Sequence, residues 1–179
     1  MGPFPHDAPK ATISAANPAG TDGFEFVEYA HPDPAVLDRI FRQMGFAPVA
    51  THKTKAITLY RQGDINYLLN AEADSHAAGF VAEHGPCAPA MAWRVVDAQV
   101  ALKRALELGA TEYTGPGKSI EAPAVLGIGG SLLYFIDRYG DAGSAYDADY
   151  DWIGEADPRP EGFGFFYLDH LTHNVIRGN

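Results

Sequence analysis

Apolar and polar positions recur along this chain with two periods, and the periods sort it into strands and helices. Residues 24–30, FEFVEYA, set Phe24 and Phe26 against Glu25 and predict a strand; Glu28 breaks the alternation and marks one wetter position on its buried face. HPDPAVLDRIFRQMGF follows. Asp33 is a good N-cap, Pro34 suits the first helical position, and Leu37, Ile40, Phe41 and Met44 form one apolar stripe. Gly45 is placed to end that helix in a left-handed cap. Three short strands are expected in APVATHKT, AITLYRQ and INYLLN, with a hairpin turn at Gln62-Gly63-Asp64. A short helix over 74–84 has Phe80 and Val81 inward and is stopped by Gly85-Pro86.

The pattern then starts again. AMAWRVV at 90–96 predicts a strand. Asp97 caps a helix whose stripe is Ala98, Ala101, Leu102, Ala105 and Leu108, with Leu106 at its buried edge and Gly109 at its end. Strand-like residues follow at 111–113, and again at 131–137 after the turn GIGG. The two first strands begin at 24 and 90, the helix-ending glycines are Gly45 and Gly109, and the turn glycines are Gly63 and Gly129. These near-constant offsets define an internal repeat of two β-α-β-β-β modules, about 23–86 and 87–139. The expected fold class is α+β: one cupped sheet, helices outside, a concave face for a ligand. Residues 1–22 show no period and read as a mobile tail; 140–164 read as an acidic linker. Residues 165–179 contain the apolar FFYLDHLTHNV, which reads as the first strand of a truncated second domain.

Composition narrows the classes. With 46% hydrophobic and 20% charged residues, the 179-residue chain is ordinary globular protein. Its net charge of -10 repels phosphate backbones, which argues against nucleic acid as a partner. No apolar run reaches the roughly 18–20 residues of a spanning helix, and the N-terminus lacks a secretory pattern. The single Cys87 forms no internal disulfide, fits a reducing cytoplasm, and reads as a small buried hydrophobe.

Several motifs fail on inspection. GPGKS at 115–119 has Glu112 where a phosphate loop needs glycine, and lacks the strand-loop-helix context. GIGG precedes a strand instead of opening a helix. Asp147, Asp149 and Asp151 start like a calcium loop, but Trp152 and Pro158 stand where glycine and glutamate are required. His31, His52, His76 and His84 are scattered through loops and element ends. His170 and His173, three apart on a predicted strand, face opposite sides and would not chelate one metal together; Thr172 shares the His170 face. On the residues alone, His170 beside Asp169 reads either as a ligand or as a hydrogen-bonded structural histidine.

GFEFVEYA, the helix ending in MGF, VATHKTKAITLYRQGDINYLLN, AEHGP, MAWRV, RALELGA, GIGGSLLYFIDRYG and LDHLTHNV resemble the N-terminal half of bacterial 4-hydroxyphenylpyruvate dioxygenases. These belong to the vicinal oxygen chelate, or glyoxalase-like, superfamily, built of β-α-β-β-β units. The resemblance runs from about residue 23 to 178. It implies Fe(II) held by two histidines and one glutamate, and conversion of 4-hydroxyphenylpyruvate and O2 to homogentisate and CO2 in cytoplasmic tyrosine and phenylalanine catabolism. The family's DH motif implies His170 as the first iron ligand, with Thr172 bordering the substrate pocket and no iron role for His173. The second histidine and the glutamate belong to the family's C-terminal domain, so these residues alone would be inactive. The superfamily's ligand positions fall on Phe26 and Ala90, both apolar, which implies a metal-free, structural first domain that builds homo-oligomer contacts. Two alternatives stand beside this reading: a hydroxymandelate synthase-like enzyme, and a non-catalytic ligand-binding or assembly module of the same fold.

Overall fold

The structure, a computed structural model, describes residues 9–155 and 157–172. The first module comprises β1 (Thr21–Ala30), α1 (Pro34–Gln43), β2 (Ala47–His52), β3 (Ile57–Gln62) and β4 (Ile65–Asn70). Helix α2 (His76–His84) leads into the second: β5 (Cys87–Val95), α3 (Ala98–Glu107), β6 (Ala124–Leu126) and β7 (Leu132–Ile136). A last short strand, β8, spans Tyr150–Trp152. All eight strands form one sheet in the order β6-β7-β5-β1-β4-β3-β2-β8. Within each module the first and last strands pair in parallel, β1 with β4 and β5 with β7; β1 and β5 meet antiparallel and join the modules. The repeat is therefore real, with one reduction: the expected strand at 111–113 is a single bridge, Glu112 to Val125.

Local chemistry explains the helices. Asp33 Oδ1 accepts from Ala35 N, and Asp97 Oδ1 accepts from Gln99 N and Val100 N, so each cap satisfies amides that the first turn leaves open. Gly45 and Gly109 leave both helices at φ +89° and +95°, a region that penalises any Cβ. The apolar stripes are narrower than expected. Phe41 of α1 and Ala98, Ala101 and Leu102 of α3 are buried, while Ile40, Met44, Leu106 and Leu108 are substantially exposed. Helix α2 begins two residues later than the pattern suggested, because Ser75 Oγ caps it by accepting from Ala78 N. Its buried residue is Ala77; Phe80 and Val81 are half-buried, since one small residue suffices to seat so short a helix. No helix among the described residues is long and apolar enough to cross a membrane.

The strands alternate as period two demands. Val27, Tyr60, Tyr67 and Leu69 face α1, and Val95, Val125 and Phe135 face α3. Phe26, Leu59, Leu68, Ala92 and Tyr134 face the concave side. That side was expected to be open to a ligand and to be followed by a linker; instead the chain covers it. Residues 140–149 run across it from β7 to the far edge, Tyr146 and Tyr150 are buried in its centre, and β8 pairs with β2. Each such aromatic buries about 150–250 Å². At roughly 25 cal/mol per Å² that is several kcal/mol, enough to hold an otherwise acidic segment in place.

The following stretch also docks. Gly63 N donates to Pro160 O (2.9 Å) and Asp64 N to Phe166 O (3.1 Å). The fully buried Gln62 accepts from Phe163 N (2.6 Å) and Phe165 N (3.3 Å) and donates to Met44 O (2.9 Å). Gly162 makes this approach possible: at φ +58°, a Cβ there would lie 2.4 Å from Gly45 O. The strand expected around 165–175 does not form in its described part, 165–172. Both edges of β3 and of β4 are already paired, so only the amides of their turn remain to be met. Leu168 and Leu171 pack instead against the apolar cluster on the α1 side, which holds Phe41, Phe46, Tyr60 and Tyr67. Residues 173–179, including His173, lie outside the described residues.

Candidate functional site on the concave face

The polar groups of the concave face are arranged in two clusters, and both begin on β1. An irregularity in the pairing with β5 between Phe24 and Phe26 brings Glu25 and Phe26 to the same side, and sends Phe24 outward against Trp93, ring centroids 4.4 Å apart. Glu25 and Glu28 are therefore both on the concave face, and only 4% and 3% exposed. Strand β4 supplies a partner for each from alternate positions, Asn66 and Asn70.

At the Glu25 end, Asn66 Nδ2 donates to Glu25 O (2.8 Å) and Oε1 (3.2 Å). Arg94 Nε donates to Glu25 Oε2 at 2.6 Å, and Arg94 Nη1 lies 3.7 Å from Asp64 Oδ2. Arg61 Nε donates to Asn66 Oδ1 at 2.6 Å. The Tyr139 ring lies 5.4 Å from the Arg94 guanidinium, and its hydroxyl donates to Asp22 Oδ2 at 2.6 Å.

At the Glu28 end the partners are neutral. Asn70 Nδ2 donates to Oε1 (2.8 Å) and Ser119 Oγ to Oε2 (2.6 Å). Ser119 is fixed in turn, its N–H donating to Tyr134 Oη and its carbonyl accepting from Tyr150 Oη, both 3.2 Å. The serine of GPGKS thus serves a buried carboxyl and not a phosphate. Burial pushes the Glu28 pKa up, and the hydrogen bonds from Ser119 and Asn70 offset that only in part. The two tyrosine hydroxyls are pushed up by burial as well, so they stay protonated donors and acceptors.

The residues singled out for iron chemistry lie elsewhere. His170 and Thr172 are exposed, and His170 Nδ1 lies 2.7 Å from Asp169 Oδ2. Phe26 and Ala90 are buried apolar residues of the concave face. Among the described residues, no group of three or more His, Cys, Asp or Glu could hold a metal ion. A two-histidine, one-carboxylate iron set does not fit these residues. Cys87 is half-buried, and burial raises its thiol pKa, so it is no activated nucleophile. Sequence reasoning missed Arg94, Asn66 and Asn70. The available signal was complementary charge on neighbouring strands and two Asn four apart on one face of INYLLN.

Fold and site together define a paired-module, glyoxalase-like domain. A family profile described as hydroxyphenylpyruvate dioxygenase, HPPD, N-terminal, matches residues 15–151. The chain is 53% identical over 165 residues to a 4-hydroxyphenylpyruvate dioxygenase of Pseudomonas sp. (strain P.J. 874), covering 90% of this chain and 46% of that one. It is 50% identical over 175 residues to hemolysin VllY of Vibrio vulnificus, covering 93% and 48%. A solved xylose isomerase-like TIM barrel/4-hydroxyphenylpyruvate dioxygenase fusion protein superposes with TM-score 0.69 at 37% identity, covering 83% of this chain and 23% of its own. The chain belongs to the hydroxyphenylpyruvate dioxygenase family and matches its N-terminal domain. It spans about half the length of the curated relatives it matches.

Proposed function

We propose that these residues are the first half of an Fe(II)-dependent 4-hydroxyphenylpyruvate dioxygenase, which turns 4-hydroxyphenylpyruvate and O2 into homogentisate and CO2. The observation that carries this is the family match over 15–151, with a named dioxygenase at 53% identity that is about twice as long. In this reading His170 is the first iron ligand and Thr172 borders the substrate pocket, while the remaining ligands come from outside these residues. The domain's own part is structural: its concave face is closed by Tyr146 and Tyr150, and its outer surface builds contacts between copies in a cytoplasmic homo-oligomer. The experiment is product analysis on the native protein supplied with 4-hydroxyphenylpyruvate and O2. Homogentisate with matching CO2 is expected, and both iron and turnover should be lost in His170→Ala. Hydroxymandelate as product would assign the sister enzyme, and iron at wild-type stoichiometry in His170→Ala would remove His170 from the ligand set.

A second reading is a non-catalytic ligand-binding or assembly module of the same fold, in which the buried clusters of the concave face serve packing alone. Turnover by the native protein would eliminate it.

A further inference from the structure

The Glu25 end of the concave face opens into a cavity of about 220 Å³ bordered by Arg61, Arg94, Arg138 and Arg159. Its acidic lining residues are Glu25 and Asp64, and Arg61, Arg94 and Arg138 by themselves outnumber them. The cavity is positive within a chain whose net charge is -10. Arg94 engages both carboxylates. Arg61 donates its hydrogen bonds to neutral oxygens, from Nε to Asn66 Oδ1 at 2.6 Å and from Nη1 to Pro158 O at 2.7 Å. The Trp152 and Tyr146 rings lie 5.3 and 5.8 Å from its guanidinium. Arg138 Nη2 donates to the carbonyls of Ser144 and Ala145 at 3.2 Å. Burial works against the Arg61 charge, yet a guanidinium does not give up its proton in a protein. Attraction to Glu25 and Asp64 offsets only part of the cost of its desolvation, and a bound anion would offset more. A planar guanidinium pairs with carboxylate or phosphate oxygens in a two-point fork.

We propose that this cavity binds a small oxyanion, a carboxylate or a phosphate, held by Arg61 and drawn in by Arg138 and Arg159 at the rim. The site uses no iron ligand and is independent of the dioxygenase reading. The test is calorimetric titration of the full chain with inorganic phosphate and, separately, with acetate, at constant ionic strength. Saturable binding of at least one anion is expected, weakened about tenfold or more in Arg61→Gln, as loss of a charge-assisted hydrogen bond implies. Phosphate alone would assign a phosphate ligand, acetate alone a carboxylate; either supports the site. Arg138 and Arg159 are exposed, so the double variant Arg138→Gln, Arg159→Gln keeps its fold and carries the test should Arg61→Gln not fold. A loss of about threefold or more is expected there from the weaker field at the rim. No saturable binding of either anion, or wild-type affinity in the variants, would overturn the proposal.

Discussion

Glu25 and Glu28 stand three residues apart on one strand, each almost wholly buried and each bonded by an asparagine of β4, yet they are neutralised in different ways. Glu25 has a cation, Arg94, at 2.6 Å; Glu28 has a serine and an amide. A buried carboxylate with an ion-pair partner can stay charged. One with neutral donors alone holds its proton to higher pH, as the raised Glu28 pKa reflects. One face of one sheet thus carries an ionic end beside the arginine-lined cavity and a neutral end closed by three hydroxyls, those of Ser119, Tyr134 and Tyr150.

The largest effect should come from breaking the ionic end. Arg94→Met leaves Glu25 buried without its cation and should cost about 3–5 kcal/mol, read as a shift in urea midpoint. A loss below about 1 kcal/mol would mean that Asn66 alone suffices for Glu25. At the neutral end, Asn70→Ala removes one donor from Glu28 and should cost about 1–3 kcal/mol. Glu28→Gln sharpens the contrast through pH. Because the folded pKa is raised, the stability linked to Glu28 is intact below the ordinary value of 4.5 and drains as pH climbs to its own higher pKa. The variant lacks that titration, so its stability relative to wild type should improve as pH rises above 4.5, by at most about 1.4 kcal/mol per pH unit. A difference that stays flat over that range would show Glu28 to be charged. The smallest effect is expected at Leu106→Asp. The stripe placed Leu106 at a buried edge, but at 39% exposure it should change stability by no more than about 0.5 kcal/mol.

What could be read along the chain was what is decided locally. Asp33, Pro34 and Gly45 bracket α1 through contacts within a few residues, and Asp97 and Gly109 do the same for α3. The repeat was legible because both modules spell the same order of periods. Glu28 announced itself by interrupting an apolar run. The covering segment did not, because its composition is that of a solvated loop, and Tyr146 and Tyr150 are buried by a sheet that other parts of the chain build. Arg94 and Asn66 likewise take their meaning from strand order: β5 and β4 flank β1, and no local pattern states that. The strand-like reading of 165–172 failed for the converse reason. Apolar residues there seek cover, and Leu168 and Leu171 find it against the aromatic cluster on the α1 side without a ladder.

The most direct test of the central proposal is native mass spectrometry of the protein purified from its source, which reads chain mass and bound iron together. A dioxygenase whose first half is this domain predicts a chain about twice 19.3 kDa carrying one iron, with the iron lost in His170→Ala. A 19.3 kDa chain without iron would contradict it and leave a non-catalytic module with an arginine-lined cavity still to be assigned.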